Sequence, residues 1–370
     1  MTPARAICAL ALLLNALPAI GEPIRVASFN ADLTRDGPGL LLRDIRRGND
    51  EQISAVVKVI ARISPDILAL QGIDWDYEGK ALDALIETLG VAGVQYSYRY
   101  APRPNSGMIT DLDLDGDGRL GGPGDAQGYG RFSGQEGLAV LSRWPILMDQ
   151  AQDLSSLLWR DMPGADLPVN KDGTPFPSPE AQAIQRLSST AHWIVPVQLP
   201  GGNVLSLLTF QATPPVFDGP EDRNGRRNRD EILIWRSVLD GALDGALNGL
   251  YGPAPRQPFV LAGGANLDPY DSDGRREAIS LLLNDARFQD VEPRSDGAAQ
   301  AGDQGHRGDD ALDTVDWPRV GRMRVDYVLP SSDLRVLDSG VFWPAPDQPG
   351  YADALAASRH RLVWVDLALD

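Results

Sequence analysis

The sequence predicts one α/β domain in which two β-sheets pack face to face with helices outside them. Strand-like apolar runs recur from residue 24 to residue 367, they outnumber the helical stretches, and no linker-like or low-complexity segment divides the chain. With 370 residues, 43% of them hydrophobic, the chain can bury a large core.

Residues 1–21 stand apart. Arg5 gives a positive start, Ala6 to Leu17 is apolar except for Asn15, and Ala19-Ile20-Gly21 offers small residues for cleavage. The apolar run is shorter than the roughly 20 residues that span a bilayer. The segment reads as a signal peptide, leaving a mature domain of residues 22–370 that is secreted or periplasmic and has no transmembrane segment. The single cysteine, Cys8, falls inside the leader, so the mature chain carries no disulfide and no thiolate metal ligand.

The elements follow in order. Ile24 to Asn30 reads as a strand. Asn49 to Ile63 reads as a helix, because Ile53, Val56, Val57, Ile60 and Ile63 repeat with helical spacing; Asn49 and Gln52 resemble a capping box, and Pro65 ends it. Asp66 to Leu70 is a short buried strand. Ala81 to Leu89 is a second helix, with Gly90 placed to cap it. Further strands are expected at 94–100, 137–141, 191–197, 204–210, 259–262, 325–329 and 362–367, and further helices at 230–243 and 274–284. The long loops near 101–135, 150–185 and 287–320 are rich in Gly, Pro and Asp, as functional loops often are.

Charge narrows the partners. The net charge is −17, from 34 basic and 51 acidic residues. Nucleic acids are bound non-specifically by neutralising phosphates with Lys and Arg, so bulk nucleic acid is disfavoured.

Six landmarks then occur in a recognisable order. Ser28-Phe29-Asn30 ends the first strand, Pro65 to Gln71 forms the second, and Gly137 to Arg143 a later one. Gly263-Gly264-Ala265-Asn266, Arg324 to Val328, and Ser358-Arg359-His360-Arg361 follow. Together they resemble the endonuclease/exonuclease/phosphatase family across residues 24–370. The resemblance implies a four-layered sandwich of two mixed β-sheets flanked by helices. It also implies Mg²⁺- or Mn²⁺-dependent hydrolysis of a phosphoester, with the site at one end between the sheets.

Matched position by position, Asn30, Asn266, Asp326 and His360 keep the family's residues. The metal-binding Glu is Gly72, a phosphate-contacting His is Gln211, the water-activating Asp is Gly264, and the Asp before the last His is Arg359. A hard cation needs carboxylate oxygens, and glycine offers none. Asp74, two residues past Gly72 on the expected strand face, and Asp268 are candidates for relocated ligands.

Asp111, Asp113, Asp115 and Asp117 alternate ahead of and around Gly116, as in the front half of an EF-type calcium loop. Position 12 is Gly122, so a standard EF-hand is excluded, and Asp125 is the residue available to close a Ca²⁺ shell over 111–125. The segment 214–228, with Arg223, Arg226 and Arg227, reads either as an anion-binding lip or as a loop held by internal ion pairs. His192 reads as structural, and the loop at 313–318 as ordered near the site without assignable chemistry.

The function expected is that of an exported phosphoester hydrolase whose metal site is degraded or rewired, acting on a phosphoester small molecule. The competing readings are a non-catalytic binding protein on the same scaffold, with Ca²⁺ as a candidate stabiliser and an unknown ligand, and a nuclease, which the charge disfavours.

Overall fold

The computed structural model describes residues 23–243, 252–256 and 258–368. The expected leader therefore lies outside the described residues. Among the described residues, no helix is long and apolar enough to cross a membrane.

The chain runs β1 (Ile24–Leu33), α1 (Leu40–Arg47), α2 (Glu51–Ile63), β2 (Ile67–Ile73), α3 (Lys80–Val91), β3 (Tyr98–Tyr100) and β4 (Gly137–Ser142). It continues through β5 (Gln152–Asp153), α4 (Pro179–Ile184), β6 (His192–Gln198), β7 (Val204–Gln211), α5 (Arg223–Leu239) and β8 (Phe259–Gly264). It closes with α6 (Glu277–Leu283), α7 (Asp296–Ala301), β9 (Val315–Trp317), β10 (Gly321–Met323), β11 (Asp326–Pro330), β12 (Val336–Val341), α8 (Tyr351–Ala357) and β13 (Val363–Leu367).

Two mixed sheets result. One has the order β12-β13-β1-β2-β4-β3, the other β11-β8-β7-β6-β5, and β9–β10 is a separate hairpin. Each sheet contains a parallel pair, β1–β2 in the first and β7–β8 in the second, and its other pairings are antiparallel.

Alternation along the strands sorts side chains into layers. In β1, Val26 joins the core between the sheets while Ala27 and Phe29 pack under α1–α3. In β7, Leu205 and Leu207 face inward while Leu208 and Phe210 pack on Ile232 and Trp235 of α5 and Ile279 and Leu282 of α6. Helices, sheet, sheet and helices stack as four layers, as the sequence resemblance implied.

Local details depart from expectation for identifiable reasons. Asp50, not Asn49, caps α2, accepting from the Ile53 amide at 2.9 Å. Gly90 lies inside α3, which runs on to Val91. The strand expected at 94–100 forms only over Tyr98–Tyr100, because β4 pairs with just those residues. The helix expected at 230 begins at Arg223, so the arginine-rich segment is its first turns.

Candidate functional site

The parallel pairs β1–β2 and β7–β8 end at the same edge of the sandwich, which brings Asn30, Gly72, Gln211 and Gly264 together. The register pairs Asn30 with Gln71, Gln211 with Gly264, and Gly264 with Asp326. The loop before β13 adds Arg359 and His360. Backbone geometry is unusual here: Asp32 (φ 50°), Glu136 (φ 52°) and Asn266 (φ 50°) are left-handed, as is Gly72 (φ 69°). Non-glycine residues rarely adopt this conformation, and such strain collects at functional sites.

One half of the site is a buried relay. His360, 4% exposed, lies with Nδ1 2.8 Å from Oδ2 of Asp326, itself 1% exposed. The Thr314 hydroxyl donates to the same Oδ2 at 3.0 Å and accepts the Val325 and Asp326 amides. Oδ1 of Asp326 is buried without a partner. Trp317 meets the His360 ring edge-on at 5.8 Å. The β9–β10 hairpin is tied down by Asp316 N–H to Arg359 O and Arg361 N–H to Thr314 O. Burial opposes charge on His360, but Asp326 and, beyond it, Asp32 overcome this and hold its pKa above the ordinary value. With Nδ1 committed to a carboxylate, Nε2 is the nitrogen left to meet a ligand.

The other half surrounds Gly72. Both β1 and β2 shift register there, between Asn30 and Leu33 and between Gln71 and Ile73, a bulge of the kind that re-aims side chains beside sites. A Cβ on Gly72 would lie 2.3 Å from Asn30 Oδ1 and 3.0 Å from the Asp32 amide, which itself donates to Asn30 Oδ1. Arg359 forks onto Asp32, with Nε 2.9 Å from Oδ2 and Nη2 3.1 Å from Oδ1. Burial would raise the Asp32 pKa, yet Arg359 and His360 bring it below the ordinary value. Glu136 borders the same group. Crowding by protein raises its pKa first, and Asp32 and Asp74 raise it further, although part of its surface stays in solvent. Ser358 links the halves, donating to Asn30 O and accepting the His360 amide.

A third side comes from β7 and β8. A Cβ on Gly264 would lie 2.2 Å from Oε1 of Gln211, an atom that is buried and unpartnered. Asn266 donates to Ala212 O at 2.8 Å. Behind this wall α5 supplies a buried polar network, in which Asn228 Oδ1 is left without a partner among the described residues. Glu231 accepts from Ser189 and Thr213, Arg227 donates to carbonyls of Gln127, Arg186, Leu187 and Ser188, and Asn228 donates to Thr213 O and Ala265 O. His192 sits on Ser188 Oγ and Glu231 O, with burial pushing its pKa down to about 4. The arginines of 223–227 are held internally: Arg223 pairs with Glu221, Arg226 with Asp166, and Arg227 is buried on those carbonyls.

The structure thus gathers Asn30, Asn266, Asp326 and His360 at one place. It puts Asp74 and Asp268 to backbone work. Asp74 accepts from Thr34 Oγ1, Arg35 N and Glu136 N, and the bulge at Gly72 breaks the alternation that would have placed it on the face of residue 72. Asp268 accepts from the amides of Tyr270, Asp271 and Arg324. Asp113, Asp115 and Asp117 have one oxygen each within 4.8 Å of the others, and Asp111 is outside that group. Asp125 spends both oxygens on the Leu114 and Gly122 amides. Sequence reasoning missed Asp32, Glu136, Thr314 and Trp317. Asp32 carried a weak signal, two residues past Asn30; the others become visible only when distant segments meet.

A profile of the Endonuclease/Exonuclease/phosphatase family matches residues 27–360. The chain belongs to the endonuclease/exonuclease/phosphatase family. Solved structures agree on the fold. A family protein from Beutenbergia cavernae is 18% identical, with 94% of this chain and 72% of that one covered at a TM-score of 0.53. One from Leptotrichia buccalis is 15% identical, with 94% and 100% covered at 0.51. The human Nocturnin catalytic domain, solved with a bound sulfate anion, is 13% identical, with 93% and 94% covered at 0.50. No curated protein matches the sequence. Family membership is consistent with phosphoesterase-type hydrolysis, and the family generally uses a divalent metal such as Mg²⁺.

Proposed function

We propose that this protein is an exported hydrolase of small phosphoesters, working outside the cytosol, with the family's metal position rebuilt. The observation that carries this is the His360–Asp326–Thr314 relay set beside the Asp32–Arg359 pair. The imidazolium of His360, oriented through Nδ1, presents Nε2–H to a phosphoryl or leaving-group oxygen and donates a proton there. Asn30 and Asn266, held on rigid strand ends, orient the phosphoryl group. The sulfate held by the similar Nocturnin domain is an anion of the same shape and supports this reading.

The residues do not fit a hard cation at the family's position. The space a residue-72 carboxylate would need is taken by Asn30 Oδ1, and the fork of Arg359 covers Asp32. A separate Ca²⁺ site at Asp113, Asp115 and Asp117 would stabilise the 111–125 loop, and a Ca²⁺ thermal-shift series on wild type and Asp115→Ala tests that reading.

The function is tested with a panel of phosphomonoesters and phosphodiesters, comparing wild type with His360→Ala. Turnover that drops by about 10²-fold or more in the variant supports it. Turnover indifferent to His360, or no turnover on any substrate of the panel, overturns it, and binding without turnover points to the non-catalytic alternative.

A further inference from the structure

We infer that the Arg359 guanidinium, oriented by Asp32, does the work of the divalent cation through its remaining N–H donors, so that this site binds a phosphate-type oxyanion without metal. This rests on the phosphoester reading above but makes a separate claim about what carries the positive charge.

Arg359 has five N–H groups in a planar fork, and Nε and Nη2 are fixed on Asp32, which sets the plane of the guanidinium. Among the described residues Nη1 has no partner, and 58% of the side chain is exposed, so it opens to solvent at the strand-end edge. A guanidinium held in this way is pre-organised for oxyanion geometry and cannot lose its charge. One residue on, His360 is held by Asp326 and offers Nε2–H.

The carboxylates that would attract a cation are accounted for. Asp32 is neutralised by Arg359 and Asp326 by His360. Asp74 has its oxygens on Thr34, Arg35 and Glu136. Glu136 is the remaining acid facing the group. It is exposed to solvent, and its backbone N–H is spent on Asp74. Arg131, the other cation near Glu136, is paired with Asp36 at 2.9 Å. Acids that are paired or hydrogen-bonded, next to Arg359 and His360 with Nη1 and Nε2 left to donate, suit an incoming oxyanion better than a metal.

The test is calorimetric titration of the full chain with inorganic phosphate, in excess EDTA and again in Mg²⁺ or Mn²⁺, for wild type, Arg359→Gln and Arg359→Lys. We expect wild-type affinity unchanged by EDTA. Arg359→Gln should lose about tenfold or more, the size of one charge-assisted contact, and Arg359→Lys an intermediate amount because it keeps charge but not the fork. Thermal melts check that the variants fold, which the exposure of Arg359 favours. The reciprocal variant Arg359→Asp, which frees Asp32 beside a new carboxylate, should lose metal-free phosphate binding and acquire dependence on Mg²⁺. Phosphate binding by wild type only in the presence of metal overturns this inference and leaves the phosphoester reading standing. No phosphate binding under either condition, together with no turnover of the ester panel, removes both.

Discussion

Two buried histidines occupy opposite kinds of surroundings. His192, 0% exposed, lies against a hydroxyl and a carbonyl on the α5 network, while His360, 4% exposed, lies against the Asp326 carboxylate at the strand-end edge. Burial alone disfavours charge on both. It wins at His192, whose pKa falls to about 4, and loses at His360, where Asp326 and Asp32 reverse it. The same contrast runs through the neighbours. The buried charges around His192 find partners, though Asn228 Oδ1 and Trp235 Nε1 there do not; near the other edge, Oδ1 of Asp326 and Oε1 of Gln211 find none among the described residues, close to the left-handed backbone of Asp32 and Asn266. Satisfied polar groups hold a scaffold together, and unsatisfied ones at strained backbone mark where a ligand belongs.

The sharpest way to break the comparison is through α5. Glu231→Ala orphans the Ser189 and Thr213 donors and leaves Arg227 as a buried cation without its counter-charge. It should cost about 3–5 kcal/mol in urea unfolding. His360→Ala should cut turnover by about 10²-fold or more, and because it leaves Asp326 a buried carboxylate without its partner it should lower stability as well, which urea unfolding reads separately.

Next in size is the opposite pH behaviour of the two rings. His192 is depressed in the folded state, so the unfolded chain takes up a proton first as pH falls from about 6.5 towards 4, removing up to about 3 kcal/mol of stability. His360 is raised, so its contribution is fully present below about pH 6.5 and is lost as pH rises through its folded pKa. NMR titration of the two imidazoles reads both directly; two rings titrating together would end the contrast.

Gly72→Ala asks whether the emptied position is truly closed. With φ at 69° and Asn30 Oδ1 2.3 Å from the new methyl, it should cost about 2 kcal/mol. A neutral result would mean that Asn30 moves freely. Asp313 is a further pH-dependent group. Burial and then the charges of Asp268, Asp310, Asp303 and Asp271 push its pKa up to about 8, and Oδ2 has no partner. As pH rises from about 4 to about 8 the unfolded chain ionises this group while the fold resists, so stability is lost across that window. Asp313→Asn should be clearly more stable than wild type at pH 8 and almost neutral at pH 4, measured by thermal melts at each pH.

Much of the site was legible in the chain because four of its residues sit in local strand-end motifs. Asn30 follows Ser28-Phe29, Asn266 follows two glycines, Asp326 opens an apolar strand and His360 precedes one. Relocation of a ligand to Asp74 rests on strand alternation, and a one-residue bulge at Gly72 undoes that arithmetic; Asp268 is a candidate by nearness in sequence alone, and backbone amides take its oxygens. Thr314 and Trp317 were visible only as part of an ordered loop, since their contacts with Asp326 and His360 cross 12 and 43 positions of sequence.

By itself the sequence determined the layers. Alternating and helical apolar periods state which face of each strand or helix must leave water, and these two periods suffice to stack two sheets between helices. Only the tertiary structure decided the charges. Electrostatic coupling depends on distance through space, so the meeting of Asp32 with Arg359, and of Glu136 with both, awaited the packing of strand ends that no local pattern places side by side.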